Sequence, residues 1–292
     1  MNNNEDEAAK TYGRTLHIPE EQLSWSISSL NEYKDLIQAS TRINPEKSLE
    51  GKTFYDRLKA KNPDFIVVIA YGKILPQSVL DLAHFGAINV HGSLLPKYRG
   101  ASPLQSIFLE KEEKSEPKAN HAKLRGGITI MQMDAGMDTG DIIDTLSFPI
   151  PFHRTVAELI QALQQQGPKF LNDTLWNFAK GLITPVKQEE SEATYTKKIE
   201  KADGFFVLSL DPLKDVYAKY RAFSLRPKVR FVRQDKKVII EKLTLDEELF
   251  EIHKSSPLLD NGKLNPAVKE IFLKPEGKKE MDWKSFVNGY LK

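Results

Sequence analysis

Hydrophobic and polar positions fall into two kinds of pattern along the chain. From Thr53 to Lys180, short continuous apolar runs alternate with stretches of helical spacing. Thr53 to Lys61 carries Phe54, Leu58 and Ala60 on one side, which predicts an amphipathic helix. Asp64 to Tyr71 is an apolar run bounded by Asn62-Pro63 and Gly72; its continuity predicts a strand buried on both faces, as in a parallel sheet. Pro76 opens a predicted helix from Gln77 to Ala83, and Gly86 to Val90 reads as a second buried strand that ends in His91-Gly92. Ser102 as cap and Pro103 in the first turn predict a helix to Glu110. Strands are expected at Gly127 to Met133 and Ile142 to Ile150. Thr155 caps a helix with Val156, Leu159, Ile160 and Leu163 at helical spacing, and a second helical stretch reaches Lys180. Elsewhere the signal is weaker. Residues 1–13 are polar and expected to be disordered, Thr15 to Pro19 reads as a short strand, Glu32 to Gln38 is weakly helical, and 111–124 reads as a surface insertion.

Gly181 to Glu192 is polar with one proline and reads as a linker. Beyond it come Val207 to Leu210 and Val216 to Phe223, then short β-rich pieces at Val229 to Val232, Val238 to Leu243 and Ile271 to Leu273. The expected organisation is a first domain over 1–180, a linker over 181–192 and a small β-rich domain over 193–292. Strand–helix alternation makes the first domain α/β. Ligands of open α/β sheets bind beyond the carboxyl ends of strands, where Asn89 and His91 stand.

Composition narrows the chemistry. The 292 residues are 40% hydrophobic and 28% charged, with no cysteine. A core of useful size needs no staples, and thiolate nucleophiles, thiolate metal sites and disulfides are excluded. The net charge of +2 comes from 42 basic and 40 acidic residues, a balance unlike that of a protein that coats nucleic acid. The basic residues gather late, at Lys197-Lys198, Lys228-Val229-Arg230, Lys236-Lys237 and Lys278-Lys279; by itself that is an ordinary solvated face. No apolar run has the length of a membrane span.

Asn89 and His91 lie two apart at a strand end and can point the same way. One offers an amide donor, the other a titratable imidazole. Acyl transfer to an amine needs such a donor for the oxyanion, a group that moves the amine proton, and a carboxylate that orients the histidine, a role open to Asp138. The plain alternatives stand beside this. His91 reads equally as a hydrogen-bonded strand-end residue. Asp134, Asp138 and Asp141 read as turn formers or, less readily, as oxygen ligands of a hard metal. His84, His121 and His153 read as surface or structural.

Two motifs carry a resemblance. AINVHGSLLPKYRGASPLQ at 87–105 and GITIMQMDAGMDTGDII at 127–143 resemble the signatures of the folate-dependent formyltransferase family. Arg99 before Gly100, the turn Asp138 to Asp141, and TYTKKIEKADG (194–204), RAF (221–223) and LKPEGKKEMDWKSFVNG (273–289) resemble the branch of that family that acts on methionyl-tRNA. The resemblance implies a Rossmann-like catalytic domain followed by a small OB-fold-like β-barrel domain that binds tRNA. It implies 10-formyltetrahydrofolate as formyl donor, initiator methionyl-tRNA as acceptor, no metal, no membrane and a monomer. Carried over by motif, Asn89, His91 and Asp138 are catalytic. Asn89 binds the formyl oxygen, His91 stabilises charge and relays the proton, and Asp138 orients His91, with a water between amine and base. Tyr71, Gly72, Ile74, Leu75, Ser93, Leu94, Leu95, Pro96 and Asp134 are implied folate-site residues, and the late basic residues gain a use on tRNA phosphates.

The sequence departs from the family in three places. Family members begin with a buried strand, a glycine-bearing turn, a helix and a second strand; these are not found in 1–60, so the catalytic domain is expected to be amino-terminally incomplete. RAFSLRPKV (221–229) departs from the aromatic and proline residues that usually follow RAF, and 111–124 lengthens a loop. Two other readings follow: an inactive truncated fragment or RNA-binding remnant, and formyl transfer to an amino sugar nucleotide or hydrolysis of the formyl donor. Formylated initiator tRNA implies bacteria or organelles of bacterial descent; the insertion and divergent second domain point to the mitochondrial matrix, with the bacterial cytoplasm as the alternative.

Overall fold

The structure is a computed structural model and describes residues 15–17, 52–72, 74–110 and 124–291, with side chains from Tyr55 onward. The expectations for 1–13, Glu32 to Gln38, His121 and nearly all of 111–124 lie outside the described residues. The chain divides into two compact units, one of residues 1–103, 125–149 and 160–197, the other of 104–124, 150–159 and 198–292.

The first unit is built on five strands: β1 (Thr15–His17), β2 (Ile66–Ile69), β3 (Ala87–His91), β5 (Arg125–Gln132) and β6 (Ile142–Pro149), in the order β1-β6-β5-β3-β2. Helix α1 (Lys52–Lys59) precedes β2, and the single turn α2 (Gln77–Leu80) lies between β2 and β3. The sheet is mixed. β2 runs parallel to β3 and β1 to β6, but β5 is antiparallel to both its neighbours. β5 and β6 are joined by the turn at 133–141, too short for a crossover, so they must be antiparallel. Ile130, Met131, Ile142 and Ile143 from these central strands are buried on the sheet.

The expectation of burial on both faces for the Asp64 to Tyr71 run is corrected. Among the described residues β2 is the edge of the sheet, shorter than the run, and alternates in burial, with Val67 39% and Ile69 59% exposed. Apolarity alone does not separate a central strand from an edge strand. The two expected helical stretches after Thr155 are one helix, α4 (Val156–Ala179), which runs through Pro168. Pro168 removes one ladder donor, and the helix continues past it.

Two-residue strands β4 (Arg99–Gly100) and β7 (Tyr195–Thr196) pair in parallel within the first unit. Gly100 has φ +110°, and a side chain there would press 2.8 Å from the Thr196 carbonyl oxygen. Only glycine permits that approach.

The second unit holds an antiparallel sheet. β8 (Arg230–Arg233), β9 (Lys236–Leu245), β12 (Val268–Pro275) and β13 (Met281–Asp282) follow the order β13-β12-β9-β8. Two-residue strands β10 (Leu259–Asp260) and β11 (Lys263–Leu264) form a small hairpin. A parallel bridge from Phe205 to Arg230 adds a further chain segment beside β8. Helices α3 (Pro103–Leu109), α5 (Leu213–Ala222), α6 (Glu247–His253) and α7 (Trp283–Phe286) complete the described α-helices. Phe206 packs edge-on to Phe231, which meets Phe286, and Phe286 stacks on Tyr290 at 5.1 Å. The β-rich pattern after residue 193 is therefore real, with α5 and α6 set among the strands.

Candidate active site

Asn89 and His91 stand on β3, two residues apart, as strand periodicity requires of side chains sharing a face. Gln132 pairs with Ile88, so the chain leaves β5 at the start of β3, not at its end. The turn at 133–141 must double back to bring Asp138 onto β3, and it does. Asp138 takes φ +56°, in the left-handed region where Asp is among the tolerated residues. Its carboxylate then meets three groups. The Asn89 side-chain amide donates to Oδ1 at 3.2 Å, the Gly100 backbone N–H donates to Oδ2 at 2.8 Å, and His91 Nδ1 lies 3.6 Å from Oδ2.

His91 is buried, and its Nε2 is 3.0 Å from the Tyr98 carbonyl oxygen. A carbonyl accepts, so Nε2 carries the proton and Nδ1 is the nitrogen left for the carboxylate. The loop that delivers Tyr98 is fixed from beneath by Thr129 on β5. The Thr129 hydroxyl donates to the Ser93 carbonyl at 2.7 Å and accepts from the Leu95 N–H at 3.0 Å. The Ser93 hydroxyl donates to the Lys97 carbonyl at 2.7 Å. Ser93, Leu95 and Pro96 are buried, and Leu95 packs with Met131 and Ile142. Leu94 lies against Gly127. Their side chains shape the loop from inside.

The remaining implied folate residues lie apart from this inner set. Leu75 is buried with Val79 and Leu80, and Tyr71 packs on the same cluster. The Tyr71 hydroxyl is buried and has no hydrogen-bond partner among the described residues. Gly72 has φ +69°, and Ile74 is 91% exposed. Asp134 closes the turn on itself, accepting from the Thr139 hydroxyl at 2.8 Å and the Gly136 N–H at 3.0 Å. That is the turn-forming role weighed for it. Among the described residues, no group of three or more His, Asp or Glu side chains converges on a metal site.

Sequence reasoning missed Gln188. Its side-chain amide donates to the Asp138 carbonyl at 2.8 Å and the Gly140 carbonyl at 2.7 Å, while its oxygen accepts from Arg99 Nε at 3.1 Å and Nη2 at 3.0 Å. Arg99 is 1% exposed, paired with Glu190 at 2.9 Å and hydrogen-bonded to the Tyr195 hydroxyl at 3.0 Å. A polar residue in a polar stretch gives no periodic signal, so nothing in the pattern pointed to Gln188. Thr129 was more accessible, as the polar residue inside an otherwise apolar strand run.

With this geometry in view, likeness to other proteins becomes informative. The chain matches the family described as formyl transferase over residues 16–175. It is 41% identical over 258 residues to the methionyl-tRNA formyltransferase of Campylobacter jejuni, which covers 86% of this chain and 77% of that protein. The chain belongs to the methionyl-tRNA formyltransferase family. Two solved structures share its fold. The methionyl-tRNA formyltransferase from Clostridium thermocellum aligns with TM-score 0.55 and 19% identity over 92% of this chain and 96% of that one. HypX from Aquifex aeolicus in complex with tetrahydrofolic acid aligns with TM-score 0.60 and 18% identity over 96% of this chain and 48% of that one. At such identities these structures speak for the fold alone. The family membership accords with the α/β catalytic fold and the β-rich carboxy-terminal region.

Proposed function

We propose that this chain transfers a formyl group from 10-formyltetrahydrofolate to the amino group of methionyl-tRNA, with Asn89, His91 and Asp138 as the catalytic residues. The observation that carries the reading is the convergence of the Asn89 amide, the His91 ring and the Gly100 N–H on one carboxylate. The acceptor amine attacks the formyl carbon, a C–N bond forms, and the bond from the formyl carbon to N10 of the folate breaks. The amine proton passes to N10, so atoms and charge balance. Asn89 has a second amide hydrogen beyond the one given to Asp138, and it serves the formyl oxygen as that oxygen gains charge. Protonated His91 adds positive charge beside the same oxygen, and Asp138 stabilises that protonated ring. A water relays the amine proton to N10. Such proton transfer and oxyanion stabilisation each contribute on the order of 10²–10³-fold to acyl transfer.

The folate lies against Tyr71, Gly72, Ile74 and Leu75 and along the loop of Ser93, Leu94, Leu95 and Pro96, with Asp134 at its edge. The unpartnered Tyr71 hydroxyl and the exposed Ile74 support this placement. Residues 193–292 serve as an OB-fold-like tRNA-binding domain after a linker at 181–192. Several of its basic residues have structural duties. Lys228 pairs with Glu241, Lys242 with Glu270, and Arg230 lies over the Phe205 ring and donates to the Pro227 carbonyl. Lys198, Lys237 and Lys278-Lys279 are better placed for phosphates. The protein works as a monomer. The relatives reported above are bacterial, which favours the bacterial cytoplasm over the mitochondrial matrix. No helix among the described residues is long and apolar enough to cross a membrane.

The test is formyl transfer from 10-formyltetrahydrofolate to methionyl-tRNA by the unmodified chain and its His91→Ala variant. Transfer that falls by about 10²-fold or more in the variant supports the assignment. A folded, unmodified chain that transfers nothing sinks it and leaves the reading of an inactive relative.

A further inference from the structure

We infer that Gln188 is a positioning residue for the Asp138 carboxylate, a role that rests on the catalytic reading of Asp138 given above. Asp138 stands at the tip of a nine-residue turn, spanning 133–141, that doubles back over β3 in a left-handed conformation. Nothing in the local sequence forces the tip to that place. Asp134 ties the turn to itself at Gly136 and Thr139, and the Gln132 N–H donates to the Asp141 carbonyl at 2.9 Å, which leaves the carbonyls of Asp138 and Gly140 to be held from elsewhere. Gln188 holds both, donating to each.

The amide can sit only one way round. The two carbonyls accept, so they take its N–H groups; the Arg99 guanidinium only donates, so it takes the oxygen. Arg99 in turn directly precedes Gly100, whose N–H grips the Asp138 carboxylate. Backbone and carboxylate of Asp138 are therefore fixed through one chain of bonds, Gln188 to the backbone and Arg99-Gly100 to the side chain. A side chain on Gly140 would collide with the Gln132 carbonyl oxygen, so the far side of the turn is also packed close to β5. Gln188 lies 50 residues along the chain from Asp138, in the segment read from sequence as a linker. The linker thus reaches into the candidate site.

The test uses two variants of the full chain. Gln188→Glu keeps an acceptor for Arg99 but loses both donors to the turn, and sets a carboxylate oxygen against two carbonyls. Gln188→Met loses both halves at similar volume. Hydrogen exchange is followed at 136–141 and at Ile128–Met131 in the unliganded protein, and kcat and donor KM are measured separately. In both variants exchange at 136–141 speeds up at least about tenfold while Ile128–Met131 is unchanged. kcat falls on the order of 10- to 100-fold, as expected for a misplaced catalytic group, with donor KM within about threefold. Parental exchange at 136–141, parental kcat in either variant, or faster exchange at both sites alike would overturn the inference. If the unmodified chain transfers no formyl group, the functional reading fails, and the exchange comparison still decides whether Gln188 fixes the turn.

Discussion

Arg99 spends its guanidinium on side chains, whereas Arg221 spends its own on backbone and rings. Arg99 binds Gln188, Glu190 and Tyr195 within the first unit. Arg221, in the second unit, donates to the Arg154 carbonyl at 2.8 Å and the Pro151 carbonyl at 3.0 Å, and lies 4.7 Å from the Phe108 ring centroid and 5.9 Å from that of Tyr217. Burial opposes the charge of both. At Arg99, hydrogen bonds to Glu190 and Tyr195 overcome that burial and hold the guanidinium above its ordinary value. At Arg221 burial wins and pushes it down to about 10, with Tyr217 and Glu158 offsetting only part. The difference teaches what each arginine can transmit. A cradle of backbone carbonyls staples one loop to one helix and ends there. A set of side-chain partners passes position onward, and through Gln188 and Gly100 it reaches Asp138.

That contrast separates activity from stability. In Arg99→Met, formyl transfer falls on the order of 10²-fold, because Gln188 loses its anchor and Gly100 its guide. Glu190 is 70% exposed and returns to water, so little further stability is lost through it. In Arg221→Met, kcat stays within about threefold while stability falls by about 3 kcal/mol, read from urea unfolding. Two part-buried carbonyls each lose a donor and two rings lose their cation. A loss of activity in Arg221→Met with stability intact would break the comparison.

How much of this could be read from sequence follows the same division. β3, β5 and β6 were legible because their apolar runs are short, central and bounded by turns. Asn89 and His91 were legible as a pair because strand spacing fixes their common face. Asp138 depended on a turn doubling back, which its glycines permit but do not dictate. The motif resemblance supplied that step. β2 was read as too buried, since Ile66 to Ile69 looks the same at a sheet's edge as at its centre. α4 was read as two stretches because Gly167-Pro168 is an ordinary stop signal. In the fold the helix continues, and Gly167 brings it close to Ile128. Arg99 was singled out for its place in a motif, but its burial and partners were invisible. Its contacts lie some 90 residues away, in a segment whose polarity says only that it is polar.

Tyr217 sharpens the comparison at high pH. Burial pushes its hydroxyl up to about 12, against a smaller opposing pull from Arg221. The folded value is raised, so its contribution is present below about pH 10 and lost as pH rises through about 12. Arg221, lowered in the fold, works in the opposite sense over the same window. Between pH 9.5 and 11.5 the parent should lose about 2 kcal/mol more than Tyr217→Phe in urea unfolding. Equal losses would mean that Tyr217 titrates alike in the folded and unfolded chain and that burial does not set its hydroxyl.

The smallest expected effect is the most discriminating. Thr155 and Glu158 form a capping box at the start of α4: the Thr155 N–H donates to Glu158 at 2.8 Å, and the Glu158 N–H donates to the Thr155 hydroxyl at 3.4 Å. Glu158 is also the carboxylate whose field supports Arg221. Glu158→Gln keeps an oxygen for the cap and removes the charge. If the backbone carbonyls and rings satisfy Arg221, this variant costs less than about 0.5 kcal/mol, while Thr155→Ala costs about 1 kcal/mol through the cap alone. A loss in Glu158→Gln larger than that of Thr155→Ala would show that Arg221, like Arg99, needs a carboxylate, and the two arginines would then differ only in how far away that carboxylate stands.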